Sequence, residues 1–333
     1  MKRKKCFPFA FLSFFRNFAR DMKQLMIMAA LAALLAACGQ SYEETKRIAR
    51  ENRREAARKD SAALKIAVMP TLDCLPMYVA RHYQLLDSAY GGVRLKVFNA
   101  QMDCDTAMLR GRVEGCITDL VRAKNMERQG LKLRYTAATN AYWQLISNRN
   151  VRVRQLKQLE DKMVAMTRFS ATDYLSDRVV DSVKLQSEHV FRVQINDVSV
   201  RMLMLQNNEM DALWLTEPWA TAARNMKHHV IMDSRKFDVQ LGVMVFREQE
   251  MRHPERSRQL QLFIRAYDQA CDSINKYGVA HFRNLIVKTC GVKGDAVDSL
   301  PQSIRYQHAH GPRERDVQTV ERWLDRVKGK VKK

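Results

Sequence analysis

Beyond residue 63 the apolar positions fall into short, nearly continuous runs separated by stretches that repeat at i, i+3 and i+4. Residues 64–69 form the first run, which stops at Pro70; a helical pattern over 76–86 follows. Further β-rich runs occupy 93–98, 115–118 and 131–137, with a short helix over 106–111. The scheme then recurs: strands at 163–167, 190–195 and 212–215, with helices at 173–182 and 198–207. Each transition falls on Gly, Pro, Asp or Asn, residues that punctuate rather than continue regular structure. Strand–helix alternation of this kind predicts an α/β fold in which each of two tandem units builds a mostly parallel sheet flanked by helices. Residues 145–147 and 242–246 read as strands connecting the units, and helical periodicity dominates beyond Glu255, most strongly over 260–277.

The N-terminal pattern is different in kind. Residues 24–37 are almost wholly Leu, Met, Ile and Ala, too short to span a bilayer comfortably and the right size for an export-signal core. The run ends in Leu35-Ala36-Ala37-Cys38-Gly39, which resembles the lipobox of bacterial lipoproteins and implies diacylation of Cys38. Met22 offers a second start inside this segment. Residues 41–60 mix charges with few large apolar groups, a solvated helix or a flexible tether. The organisation read from the sequence is therefore an export signal at 1–37, an anchor and tether at 38–61, a first lobe at 62–146, a second at 147–241, and a return to the first lobe over 242–333.

Composition narrows the function. The chain has 333 residues and a net charge of +21. Residues 1–37 carry seven basic residues and one acidic one, so about +15 stays with the body. No zinc-finger spacing, aromatic RNA-binding motif or basic recognition helix accompanies that charge, so no nucleic-acid partner is expected. No GxSxG, HExxH, phosphate-loop or dinucleotide fingerprint occurs either; the reading is of a binder without catalytic residues, cofactor or metal.

In open parallel sheets ligands sit beyond the carboxyl ends of the strands, where loops and helix N-termini converge. Four loops meet that condition: Thr71 with Asp73; Asp103 with Cys104, Asp105 and Thr106; Thr118 with Asp119; and Arg168, Ser170 and Thr172. The last is the strongest candidate, a helix start with hydroxyls and a cation suited to an anionic group. Asp73 serves equally as a helix cap, capping is the favoured role of Asp105 or Thr106, and Asp119 serves nearly as well as an ion-pair partner of Arg122. Trp143, Trp214 and Trp219 are candidate flat walls. Cys74 and Cys104 follow strands at one sheet edge and are expected to pair, as are Cys271 and Cys290 across a helical hairpin.

The segments LKIAVMPTLDCLPMYVARHYQLLD, TAMLRGRVEGCITDL, LISNRNVRVRQLKQLEDKMVAM with FSATDYL, and NNEMDALWLTEPWATAA, in that order over residues 64–245, resemble the type II periplasmic binding proteins of the nitrate, sulfonate, taurine and thiamine-precursor group. The resemblance implies two lobes with a cleft between them, a small-molecule solute bound by hinge closure, and an ABC permease as partner to a monomeric, membrane-anchored, exported protein at the periplasmic face. It adds Glu217, of the Glu217-Pro218-Trp219 element, to the ligand-binding candidates. Cys74 and Cys104 depart from the group's pattern. A sensor subunit of the same fold fits the residues equally well; an enzyme resembling the thiamine-pyrimidine synthases fits less well, because their cysteine-rich motif is missing.

Overall fold

Helix α1 (Tyr42–Ala62) is exposed along nearly its whole length and carries an i,i+4 ion pair, Lys59 to Glu55 at 2.7 Å. Of the two alternatives for this charged segment, the helix is the one formed. The structure, a computed structural model, describes residues 42–87 and 92–331. The export segment, Met22 and Cys38 lie outside the described residues. The chain divides between Lys59 and Asp60 into two compact units. No helix among the described residues is long and apolar enough to cross a membrane.

The second unit contains two five-stranded sheets. The first is built from β1 (Leu64–Val68), α2 (Leu75–His82), β2 (Val93–Val97), α3 (Gln101–Leu109), β3 (Gly115–Asp119), α4 (Leu120–Arg128) and β4 (Leu133–Ala138). The chain then enters the second sheet through β5 (Gln144–Ser147) and continues with β6 (Lys162–Met166), α5 (Ala171–Ser182), β7 (Val190–Gln194), α6 (Val198–Gln206), β8 (Ala212–Leu215), α7 (Trp219–Asn225) and β9 (His229–Asp233). It returns through β10 (Gly242–Arg247) to α8 (Pro254–Tyr277), α9 (Arg283–Cys290), α10 (Gly294–Asp298) and α11 (Glu314–Val331).

Strand order is β2-β1-β3-β10-β4 in the first sheet and β7-β6-β8-β5-β9 in the second. In each, three strands run parallel and the strand that crosses from the other lobe inserts antiparallel, β10 beside β3 with Gly242 opposite Asp119, and β5 beside β8 with Gln144 opposite Leu215. Central strands β3 and β8 are buried throughout, whereas edge strands β2 and β7 are only partly covered. Burial on both faces is why the central strands read as unbroken apolar runs. Gly115 is required at the start of β3, since a Cβ there would overlap the ring of Phe246 on β10.

Two crossovers, residues 139–143 and 234–241, join the lobes side by side. The Thr139 N–H donates to Gly242 O at 2.9 Å and the Ser234 N–H to Trp143 O at 2.9 Å. Two adjacent strands of this kind permit a hinge motion while limiting shear.

Several expectations need correction. Strand β9 escapes the sequence pattern because Val230, Ile231 and Met232 follow the charged run Lys227-His228-His229, which reads as loop. Helix α3 starts at Gln101 rather than 106, so Asp103 lies in its first turn. The C-terminal helices are shared between the sheets: α8 and α9 pack on α2, whereas α10 packs on α7. Helix α11 lies on α4, through Glu321 to Lys124 at 3.0 Å, while the Trp323 indole donates to Asp177 of α5 at 2.6 Å. Neither expected disulfide is formed; Cys74, Cys104, Cys271 and Cys290 are free and buried, as is Cys116. The Cys74 sulfur instead accepts the Met69 N–H at 3.3 Å within its own loop. Two residues at one sheet edge need not have their Cβ atoms within disulfide reach.

Candidate functional site

The carboxyl ends of the parallel strands of both lobes face a shared cavity of about 80 Å³. Lobe one contributes the loop after β1, the end of β3 and the first turn of α4; lobe two contributes the loops after β6, β7 and β8. Ile117, Val198 and the half-buried Trp143 supply apolar wall.

The polar lining is organised around two arginines. Arg201 projects from α6, whose start is fixed by Asp197 accepting the Ser199 N–H at 2.8 Å. From there its guanidinium donates to Ile195 O at 2.7 Å, Trp214 O at 2.9 Å and Thr167 Oγ1 at 2.7 Å. All three acceptors are uncharged, and among the described residues no carboxylate lies within ion-pair distance of Arg201. Burial, together with the charge of Arg122 and against that of Asp197, pushes its pKa down to about 10. A buried cation without a counter-ion is expensive. Arg122, one turn into α4, is paired with Asp105, yet its Nε has no hydrogen-bond partner among the described residues. The buried hydroxyls of Thr118 and Thr216 also line the cavity without partners among them. Buried polar atoms are rarely left in that state, so these three mark where a further acceptor or donor belongs.

Asp119 also lines the cavity. Its carboxylate caps α4, accepting the Arg122 N–H at 3.0 Å. Burial pushes its pKa up to about 6, opposed by the Arg122 charge and by the nearby backbone N–H groups of Arg122 and Ala171. Asp73 is likewise raised, by burial, against bonds from the Thr71 hydroxyl and its own loop's N–H groups.

Of the residues singled out from sequence, Thr71, Asp73, Thr118, Asp119, Ser170 and Thr172 line this cavity. The hydroxyls of the last two are engaged within their loop. Ser170 Oγ donates to Thr167 O at 2.7 Å, and Thr172 Oγ1 accepts the Thr167 N–H at 2.9 Å. Asp103 is exposed on α3, and Arg168 is exposed, lying over the Phe169 ring; neither lines the cavity. Trp214 is core, its indole bonded to Ser176 Oγ at 3.0 Å, because β8 is the central strand of its sheet. Glu217 is buried and structural, accepting from Tyr142 at 3.0 Å, Thr221 at 2.7 Å and Arg224 at 2.8 Å. Trp219 donates to Pro70 O at 3.1 Å and so ties the lobes together rather than facing the cavity.

Sequence reasoning misses Gln101, Arg201, Asn196 and Thr216. Arg201 carries a signal: it is the one charged residue in the helical run Val-Ser-Val-Arg-Met-Leu-Met-Leu. A second cavity, of about 240 Å³, lies at the crossovers. Its arginines are already paired, Arg235 with Asp233 at 2.7 Å and Arg313 with Asp316 at 2.7 Å, so it lacks the electrostatic demand of the first.

No protein-family model matches the chain, and no curated protein matches it. Solved structures do. The alkanesulfonate-binding protein SsuA from Xanthomonas axonopodis pv. citri, bound to MOPS, is similar at 14% identity over 80% of this chain and 93% of its own, with a TM-score of 0.69. The periplasmic aliphatic sulphonate binding protein SsuA from Escherichia coli shares 16% identity over 80% and 92%, with a TM-score of 0.62. The periplasmic nitrate-binding protein NrtA from Synechocystis PCC 6803 shares 11% over 76% and 74%, with a TM-score of 0.61. At these identities the likeness shows the fold: two α/β lobes of the periplasmic binding protein type.

Proposed function

We propose that the protein is the solute-binding component of an ABC importer, lipid-anchored through Cys38 at the periplasmic face and acting as a monomer, and that it captures a small organic anion between its lobes. The observation that carries this reading is Arg201, a buried guanidinium beside a cavity, with no carboxylate within ion-pair distance among the described residues. Arg122, Thr118 and Thr216 add unpartnered polar atoms around the same space. An anion seated there would satisfy both lobes at once, Arg122 and Thr118 from the first and Arg201 and Thr216 from the second.

Closure follows from that division of labour. The lobes already touch at the cleft rim, where the Leu72 N–H donates to Glu217 O at 2.9 Å and Ala100 bridges Asp197. These few contacts are weak next to a charge-assisted bridge. A solute that bonds only when both lobes are in place therefore shifts the population toward the closed form, which a permease reads. The three proteins of like fold described above are named for alkanesulfonate, aliphatic sulphonate or nitrate, which supports an anion without fixing which one.

Isothermal titration calorimetry with methanesulfonate, nitrate and the neutral dimethyl sulfone tests the reading. Binding of at least one anion, with none for the sulfone, is the expected result; equal binding of the sulfone, or no anion bound, overturns it. Palmitate labelling that disappears in Cys38→Ala tests the anchor.

A further inference from the structure

The arginines explain why an anion would enter; they do not explain the carboxylates that share the cavity. Charge around the space can be counted. Asp105 pairs with Arg122, and among the described residues no carboxylate lies within ion-pair distance of Arg201, so the arginines offer one unpaired positive charge. Asp119 lines the same cavity, and its carboxylate accepts the Arg122 N–H of α4 at 3.0 Å. The start of α5 is already capped by the Ser170 hydroxyl, which accepts the Thr172 N–H at 3.1 Å. A solute group is left with Arg201, the Arg122 Nε and the free hydroxyls of Thr118 and Thr216, and it lies in the same small cavity as Asp119.

We infer that Asp119 is a charge filter: it admits a solute bearing one negative charge at the arginines and rejects a dianion of the same shape. The inference rests on the anion-capture reading above and adds to it the residue that sets selectivity by charge. Its physical basis is the low effective dielectric of a buried site, where a like charge a few ångströms away is felt strongly and each added negative charge is felt again. The first negative charge is compensated by Arg201. A second finds no further unpaired cation among the described residues that line the cavity, which also include Asp119 and Asp73. At neutral pH Asp119 is mostly ionised, since its pKa is about 6.

Methanesulfonate and sulfate make the test, since both present tetrahedral sulfur with oxygens and differ by one charge. Affinities are measured by calorimetry at pH 7.5 and constant ionic strength, for the wild-type protein, Asp119→Asn and Asp119→Ser. Both replacements remain good helix N-caps and keep an oxygen acceptor for the N–H groups, and a thermal melt confirms folding of each. The wild type is expected to prefer methanesulfonate. In the variants that preference should shrink by roughly tenfold or more, chiefly because sulfate gains. Wild-type protein that binds sulfate as tightly as methanesulfonate overturns the inference. So does a preference unchanged in the variants while methanesulfonate still binds, and that outcome leaves anion capture standing. Binding of neither anion to any form overturns both together.

Discussion

Replacing Arg201 by methionine separates a ligand-binding arginine from a structural one. The folded protein carries this guanidinium buried, with its pKa pushed down to about 10 from the ordinary arginine range. That lowering corresponds to about 3 kcal/mol set against the folded state. The sign is that of a base whose folded pKa is depressed: below about 10 both states are protonated and the penalty stands in full, and it is relieved only as the pH rises from there toward the ordinary arginine range. Against it stand the bonds lost in the variant, since the carbonyls of Ile195 and Trp214 lose a donor, at about 1–3 kcal/mol each. The two contributions oppose each other, so Arg201→Met should lie between about 1 kcal/mol above and about 3 kcal/mol below wild-type stability, a melting shift of at most about 12 °C. Binding should behave otherwise. Loss of a desolvated charge partner costs about 3–5 kcal/mol, so methanesulfonate affinity should fall by about a hundredfold or more. Calorimetry of binding and scanning calorimetry of unfolding read the two effects separately. Wild-type affinity in the variant refutes the reasoning, as does a stability loss above about 5 kcal/mol, which would make Arg201 a structural residue.

Other consequences follow from the same geometry. Because Asp119 has a folded pKa near 6, above its ordinary 3.8, the folded protein takes up its proton first as the pH falls. The carboxylate then ceases to repel an anion, so methanesulfonate should bind more tightly at pH 5 than at pH 7.5 in the wild type; titration of Asp119→Asn at the same two pH values should show a smaller change, and equal changes in both would contradict the assignment. At the hinge, a Cβ on Gly242 would overlap Thr139 Oγ1 and lie 2.7 Å from Ala141 Cβ, both on the facing crossover. Gly242→Ala should therefore destabilise by about 1–3 kcal/mol, seen as a lowered midpoint in urea, and an unchanged midpoint would show that the crossovers are looser than this contact implies. The five body thiols are buried, and burial pushes all five pKa values up, Cys271 and Cys290 to about 12. They should resist alkylation in the folded protein and all react after denaturation without reductant, as read by mass spectrometry; a mass lower by the hydrogens of a disulfide would contradict free thiols.

How much of this is readable from sequence depends on what each residue packs against. The parallel strands β1, β3, β6 and β8 are legible because burial of most of their residues leaves short, mainly apolar runs such as Ala-Leu-Trp-Leu. Strand β9 is an edge strand whose partly exposed residues carry no such mark. Loop positions after the strands are legible from topology alone, which is why Thr71, Asp73, Thr118 and Asp119 meet at the cavity. Roles within those loops are not. The hydroxyls of Ser170 and Thr172 have the chemistry of a receptor, but the tight turn at Phe169, with φ of 52°, uses both to hold its own backbone. Arg201 escapes for the opposite reason, since nothing in a helical pattern says that one side chain reaches back over the helix start into a gap. The tryptophans show the same limit: the chain pattern marks Trp214 and Trp219 as large and flat, while only packing decides that one fills a core and the other joins two lobes.

The central claim is that an anion sits between the lobes on Arg201. A crystal structure of the protein grown with 2-bromoethanesulfonate, using the bromine's anomalous signal to orient the molecule, tests it most directly. The account predicts the sulfonate oxygens within hydrogen-bond distance of the Arg201 guanidinium and the Thr118 or Thr216 hydroxyl. A sulfonate bound at the crossover cavity beside Arg313, or a cleft that binds none at saturating concentration, would contradict it.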